Sequence, residues 1–575
     1  MYKRQSNTLI LDIETDGLNP TKIWCCSSNL FSTVFSEAEF KDALATIEVD
    51  TIVAHNGIAF DFPVLQKLWN IDLSSYQLLD SLVLSRLASP SREGGHSLRA
   101  WGERLCFPKG SHNEWERLSC EMIRYCEQDV TVTEQVLKQL EVELSEFDFK
   151  SIELEHQVQT IIQQQVKHGW LLDYSLATSL VAEFKEKLYA IEDEVHKTFK
   201  PTLTLIKAIA PKTKKNTDEF SKVGLKFLGD DWKNVVGDFC RVEYRPFNLS
   251  SRQQIALYLQ KAGWEPTKFT DKKHPIVDES TLANVDIPEA KLIAEYITIQ
   301  KRKAQVQSWL DVADKDNRVH GYVNTNGAVT GRFTHSKPNM AQVPAVYSPY
   351  GKECRSCWIA KDGYKVVGVD ASGLELRMLA HYMKSEEYTN EIINGDIHSL
   401  NQKLAGLESR DTAKTFIYAF LYGAGDERLG SVVGGSKGDG RLLREQFLYR
   451  LPSLKDLRDR VIQKVSERGT LKGLDGRKLF VRSEHSALNT LLQSAGALVM
   501  KKALVLLDEY AKLWEIDFNF VGNIHDEIQS EVIADKAEEF GKLAVSCIRE
   551  AGNRFNLDCP LDGEYKVGAS WEQTH

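Results

Sequence analysis

No stretch of the 575-residue sequence approaches the roughly 18 consecutive apolar residues that a membrane span requires. Nor does the chain open like a secretory signal, since MYKRQSNTLILDIE reaches an acidic strand before an apolar core can develop. The expectation is an intracellular protein, in the cytoplasm and without a membrane partner. Paired cysteines are also lacking. The ten cysteines are scattered, and Cys354 and Cys357 form a lone C-x2-C with no second pair and no nearby histidines. That pattern argues for reduced thiols and against structural zinc. Positive charge is not in excess either: a net charge of -9 excludes a surface built entirely for nucleic acid. A local basic groove is still allowed, because phosphate binding depends on where the charge sits. Residues 201–303 are the basic part, with 18 Lys or Arg against 13 Asp or Glu; they include PKTKKN and end within QKRKAQ. No internal repeat or low-complexity tract is present.

What remains is ordinary globular composition at a length too great for one hydrophobic core, so two to four domains are expected. Residues 1 to about 150 alternate strand-like runs (NTLILDIE, TIVAHN) with helical ones (DFPVLQKLW, MIRYCEQDVTVTEQVLKQLEVEL), the signature of an α/β layer with a mostly parallel or mixed sheet. From about 151 to 310 the pattern turns long and helical, interrupted at about 200–247 by a mixed stretch that reads as an insertion in a helical arm. From about 320 onward strands and helices mix again.

Asp12 and Glu14 in LILDIETDG are two residues apart on a strand, so both side chains project from one face. Such a pair repels unless a cation sits between them, although a lone D-x-E also suits a solvated strand end. Asp61 follows a strand in AHNGIAFDFPVL, and Tyr125 and Asp129 share one helical face in RYCEQDVTV. Four acids and a tyrosine on three separated segments resemble the tyrosine-bearing subclass of the DEDD 3′→5′ exonucleases, over about the first 150 residues. The resemblance implies an RNase H-like domain in which Asp12, Glu14 and Asp129 ligate two divalent ions. Asp61 then completes the acidic shell and Tyr125 orients the attacking water. Oxygen ligands, with no histidine or thiolate among them, favour Mg²⁺ or Mn²⁺ over zinc.

A second set of acids follows. YKVVGVDASGLELRMLAHYM runs apolar to Asp370 and then turns helical, which suits either a strand-end metal ligand or a helix N-cap. In FVGNIHDEIQSEVI, Phe518, Phe520, Gly522 and Ile524 fall on one face at period two, and Ile528, Ser530 and Val532 continue the alternation. This places His525, Asp526 and Glu527 at a hairpin turn, where Asp is also a common turn former. The segment SRDTAKTFIYAFLYGAG puts Arg410, Lys414 and Tyr418 on one stripe, with Tyr422 outward and Phe416 and Phe420 facing elsewhere. Two cations and an aromatic ring in that order suit a triphosphate and a base.

VDASGLELR, RDTAKTFIYAFLYGAG and IHDEIQ, in that order and after a DEDD-like region, resemble motifs A, B and C of the family A DNA polymerases, in particular the replicative enzymes of T-seven-type bacteriophages. TNGAVTGRFTHSKPNMAQVP and LNTLLQSAGALVMK are similar to the family's DNA-gripping segments. The resemblance covers nearly the whole chain and implies an exonuclease domain over 1–150, a thumb over 151–320, and palm and fingers over 321–575, with fingers at about 395–480. It implies a DNA-directed DNA polymerase with a proofreading 3′→5′ exodeoxyribonuclease, each site using two Mg²⁺, or Mn²⁺, for replication of viral DNA. In the polymerase site Asp370, Asp526 and the Ala371 carbonyl hold the ions. His398, Arg410, Lys414 and Tyr422 contact the incoming dNTP, Tyr418 stacks at the nascent pair, and Glu375 closes the pocket where a 2′-OH would project. Arg332, Gln493 and His525 touch primer-template DNA. No 5′ nuclease segment precedes residue 9, which suits the phage type. The stretch at about 200–247 is shorter than the phage thumb insertion where host thioredoxin docks, so that partner stays open, as do a primase-helicase and a single-stranded DNA-binding protein. Two other readings also stay open: a repair or organellar polymerase of the same family, and an exonuclease with a non-catalytic DNA-binding C-terminal region.

Overall fold

The structure is a computed structural model that describes residues 7–208, 214–217, 235–236 and 240–575. The expected insertion at about 200–247 therefore lies largely outside the described residues. At its margins, strands Thr202–Ala208 and Cys240–Arg245 pair antiparallel. The chain divides into two compact units, one of Met1–Leu171, Asp314–Val343 and Trp358–His575, the other of Leu172–Ala313 and Pro344–Cys357.

The first unit opens with β1 (Thr8–Thr15), β2 (Ile23–Ser28), β3 (Thr51–Ala54) and β4 (Gln77–Asp80), in the order β2-β1-β3-β4. β1 pairs antiparallel with β2 and parallel with β3, so the sheet is mixed, as the alternating pattern predicts. Helices α1 (Asp61–Leu68) and α2 (Cys120–Glu143) flank it. β1 is buried on both faces. Leu9, Leu11 and Ile13 pack with Phe40 and Phe62, whereas Ile10 packs with Val130 and Leu137 of α2. Because side chains alternate, Asp12 and Glu14 share the Ile10 face and project toward α2.

Helix α3 (Phe149–His168) is capped by Asp148 and stopped at Gly169, whose φ of 70° suits glycine. Sequence reading placed this stretch in the helical arm, but it packs in the first unit because its polar residues find buried partners there. Asn523 donates to Gln165 at 2.6 Å, Thr325 donates to Gln159 at 2.9 Å, and the fully buried Glu155 pairs with Arg477 at 2.6 Å and Lys501 at 2.5 Å. The second unit is built on α4 (Tyr174–Thr198), α5 (Arg252–Lys261) and α6 (Pro288–Val312). α4 and α6 pack along each other, and Tyr296 donates to Glu192 at 2.7 Å.

The larger core of the first unit surrounds β5 (Tyr364–Ala371), β6 (Phe518–Ile524), β7 (Glu527–Ile533) and β8 (Gly563–Gly568), an antiparallel sheet ordered β6-β7-β5-β8. Around it lie α7 (Leu374–Met383), α8 (Ile397–Ala405), α9 (Arg410–Leu421), α10 (Lys437–Arg450), α11 (Ala487–Leu513) and α12 (Ala537–Arg554). Among the described residues, the segment Glu484–Leu513 containing α11 is the one helix long and apolar enough to cross a membrane. Its apolar window is 89% buried within the chain's own core.

The expected hairpin differs in two respects. A bulge between Phe520 and Gly522 moves Gly522 and Ile524 onto the face of Gln529 and Glu527, so the period-two alignment with Phe518 and Phe520 does not persist. Glu527 is not in the turn. It is the first residue of β7, paired across to Ile524 and to Asp370, which leaves His525 and Asp526 as the turn.

Candidate active sites

In the N-terminal layer, β1 presents Asp12 and Glu14, α1 begins at Asp61, and α2 contributes Tyr125 and Asp129 one turn apart. Glu14, Asp61 and Asp129 are buried, while Asp12 and Tyr125 are half-buried at the opening. Burial pushes all four carboxyls up; repulsion from neighbouring acids adds to it at Asp12, Glu14 and Asp61, whereas Lys109 pulls Asp129 part of the way back down. Asp12 is raised by Asp61 and Asp129, Glu14 is raised to about 8, and Asp61 to about 7. One oxygen of Asp129, Oδ1, is buried without a hydrogen-bond partner. Clustered acids that resist ionisation, with an acceptor left open, are chemically suited to a hard divalent cation.

Two groups at this site were missed in the sequence. The Cys126 thiol lies with the Asp12 and Glu14 carboxylates, all ligand atoms within 4.8 Å of one another, a neighbour that the sequence reading did not include. Cys126 follows Tyr125 on a helix and so turns toward β1, a proximity that spacing alone does not signal. Its Sγ donates to the Asp12 carbonyl at 3.3 Å, and burial holds the thiol well above its ordinary pKa. A neutral thiol is a poor ligand, so the oxygen preference for Mg²⁺ or Mn²⁺ is unaffected. The second group is Lys109, in a loop without periodicity, whose Nζ forms an ion pair with Asp129 Oδ2. It also sits 4.6 Å from the Tyr125 ring centroid, beside His112 and Trp115, whose rings lie 6.0 Å from that of Tyr125.

The second acidic site forms where β5 meets the hairpin. The Ala371 amide donates to the Asp526 carbonyl at 3.2 Å, holding the turn over the end of β5, next to Asp370. His525 adopts φ 60°, the left-handed conformation that a two-residue hairpin turn demands. Asp370 is not the cap of α7, whose N-cap position is Gly373. Partial burial, then the charges of Asp526, Glu527, Glu564 and Glu375, raise Asp370 to about 7. Burial and Glu375 likewise raise Asp526. Glu527 has a different part: its Oε1 accepts from Trp571 Nε1 at 2.7 Å, from His575 at 3.1 Å and from Gln529, so it is held as an internal acceptor.

α9 directs its stripe as the spacing predicts: Arg410 and Lys414 are exposed and Tyr418 half-buried, while Ala413, Phe416, Ile417 and Phe420 are buried and the two phenylalanines pack on Phe447 of α10. Tyr418 and Tyr422 stack at 6.3 Å, and His398 on α8 lies 6.2 Å from Tyr418. Arg410 is held by Asp396, with Nε at 2.7 Å and Nη2 at 3.0 Å, a partner that sequence reading did not identify. Glu375 accepts from both Arg332 and Tyr422 at 3.2 Å, joining three of the expected site residues. Arg332 and His525 line one pocket with His335 and Asn523. Gln493 lies half-buried on α11.

A four-stranded antiparallel sheet with paired acids at a hairpin, a cation-striped helix and a separate acidic layer together suit a nucleotide-polymerising enzyme with a second acidic site. Residues 224–573 match the profile described as DNA polymerase family A, and the chain belongs to that family. Its type is that of the T3 and T7 phage enzymes. It is 36% identical to the DNA-directed DNA polymerase of Enterobacteria phage T3, over 91% of this chain and 92% of that protein. With the DNA-directed DNA polymerase of Escherichia phage T7 the identity is 34%, over 99% and 100%. The fold is shared with the POL domain of Pol1 from M. smegmatis, solved in complex with DNA primer-template and dNTP, at a TM-score of 0.77 and 17% identity over 98% of this chain and 95% of that one.

Proposed function

We propose that this family A polymerase replicates phage DNA by extending a primer on a template, and that it proofreads with a separate 3′→5′ exonuclease site. The observation that carries the reading is the presence of two distinct clusters of carboxylates with raised pKa, one around Asp12 and one around Asp370. Polymerases of this family generally use divalent metals. Asp370, Asp526 and the Ala371 carbonyl would hold them at the synthetic site, and Asp12, Glu14 and Asp129 at the exonuclease site. When bound, the ions lower the pKa of the attacking oxygen and neutralise the charge that builds on the leaving oxygen.

The chain's own residues do the rest. Arg410 and Lys414 bind the triphosphate as a fixed pair of cations on α9, and His398 approaches the same stripe from α8. Tyr418 and Tyr422 offer ring faces to the nascent pair. Glu375, already tied to Arg332 and Tyr422, closes the space beside the sugar. Arg332 and Gln493 meet the minor groove, whose acceptors differ little between correct pairs, so pair shape is checked without reading sequence. His525 contacts the primer strand. In the other site Tyr125 orients water toward the phosphodiester, and Asp61 holds the acidic shell in place. A single pocket separating similar nucleotides by 1–3 kcal/mol gains only about 10 to 200-fold, and a hydrolytic second sieve extends that selection.

Primer extension and single-strand degradation by Asp526→Ala and Asp12→Ala test the separation. Asp526→Ala is expected to lose synthesis by a factor of at least about 10³ and keep degradation, and Asp12→Ala the reverse. Loss of both activities in either variant would contradict two independent sites.

A further inference from the structure

The exonuclease reading leaves one charged group at its site without a role. Lys109 is no stray surface lysine: its side chain is only 19% exposed. The loop that carries it is pinned on three sides. Phe107 N donates to the Gly102 carbonyl at 2.8 Å, Gln128 Nε2 to the Pro108 carbonyl at 3.1 Å, and Trp24 Nε1 to the Trp115 carbonyl at 2.9 Å. Gly110 lets the backbone lie against Tyr125, since a Cβ there would stand 3.3 Å from the ring. The fold thus spends several anchors to keep one ammonium between the carboxylate of Asp129 and the face of Tyr125.

Charge balance says what that ammonium is for. Four carboxylates match two divalent cations, but a bound phosphodiester brings one further negative charge, and attack on its phosphorus concentrates more on the non-bridging oxygens. One fixed monovalent cation offsets it. Asp129 uses one oxygen for Lys109 while the other is unpartnered, so a cation at Asp129 must share it with the lysine or displace the lysine.

We propose that Lys109 is a further catalytic residue of the exonuclease: it is the counter-ion of Asp129 in the metal-free site, and with Asp129 engaged by a cation it presents its ammonium to a non-bridging oxygen of the scissile phosphodiester. The proposal rests on the exonuclease reading above. The bond changes are those of hydrolysis. The water oxygen bonds to phosphorus, the P–O3′ bond breaks, the water's proton departs, the 3′ oxygen gains one, and Lys109 keeps its proton throughout.

The test uses the full chain with Asp526→Asn as background, which removes resynthesis and weakens the competing metal site. Two quantities are measured: Mn²⁺ affinity by electron paramagnetic resonance without DNA, and nucleotide release from a single-stranded oligonucleotide at saturating Mg²⁺. Lys109→Met is expected to bind Mn²⁺ about tenfold more tightly, because a competing cation beside Asp129 has gone. It is also expected to cleave about 10²–10³-fold more slowly. Lys109→Arg should recover cleavage to within about tenfold of the parent, since it restores a cation. A lysine that merely braced the loop would weaken both properties together. Parental cleavage by Lys109→Met, or weaker Mn²⁺ binding, overturns the proposal. An Asp12→Ala arm separates the two claims. If it still degrades DNA, the exonuclease reading itself falls; if it does not and Lys109→Met cleaves normally, only the role of Lys109 falls.

Discussion

At the scale of the single residue, position 418 carries a sharp consequence. Burial, with Glu375 and Asp526 nearby, raises the pKa of the Tyr418 hydroxyl, so the group stays protonated and available as a donor. A hydroxyl at that place can substitute for the 3′-OH that a dideoxynucleotide lacks. Tyr418→Phe removes it while leaving the ring contacts with His398 and Tyr422 intact. Incorporation of dideoxynucleotides relative to deoxynucleotides is expected to fall on the order of 10²-fold, the scale of one lost specific contact in a pocket. Competitive primer extension measures the ratio, and equal ratios in the two proteins would sink the idea. Tyr418 was legible in the sequence because helical spacing fixes which residues share a face. Lys109, Cys126 and Asp396 were not. Lys109 lies in an aperiodic loop, Cys126 acts across 114 residues of chain, and Asp396 looks locally like an ordinary N-cap, which it also is.

At the scale of the element, period-two and period-3.6 patterns gave the strands, the helices and the facing of α9, yet two features depended on tertiary pairing. The bulge in β6 is decided by what β7 needs opposite it, and Glu527 enters β7 because Trp571, His575 and Gln529 converge on its carboxylate. The placement of α3 follows the same logic. Its amphipathic pattern says only that one face is buried, whereas Glu155 decides against what: its Oε1 takes Arg477 at 2.6 Å and Lys501 at 2.5 Å, and Arg477 takes Asp475 at 2.7 Å. All four groups are buried, so each charge depends on the others. Glu155→Gln leaves two buried cations with one carboxylate and is expected to cost about 3–5 kcal/mol. In a unit of this size that corresponds to a drop on the order of 3–6 °C in the transition that includes α3 and α11. Differential scanning calorimetry checks it, and an unchanged transition would show that the cluster does not fasten α3 to the polymerase core.

At the scale of the whole molecule, the two acidic sites make stability and metal binding one problem. Burial, with neighbouring acids, pushes Glu14 up to about 8 from an ordinary 4.5, and Asp61 and Asp370 up to about 7 from 3.8. These are raised carboxyls, so without metal the folded chain holds protons that the unfolded chain releases. At these acids the unfolded state binds fewer protons between about pH 4 and 8, so their contribution to stability falls as pH rises through that window; His55, His96 and His335, pushed down by burial, contribute with the opposite sign below about pH 6.5. A divalent cation reverses the penalty, because it favours the ionised form of each acid. Above about pH 6.5, where the histidines no longer contribute, the metal-free midpoint should fall between pH 6.5 and 8 by about 1 °C per kcal/mol in a chain of this size. Added Mg²⁺ should raise the midpoint far more at pH 8 than at pH 5. The double variant Asp12→Asn, Asp370→Asn removes one carboxylate from each cluster, so its metal-free midpoint should exceed the parent's at pH 8 and respond less to Mg²⁺. A metal-free pH profile that is the same in the parent and the double variant, or a Mg²⁺ shift that is the same at pH 5 and 8, would mean that repulsion among these acids is not what the folded chain has to overcome.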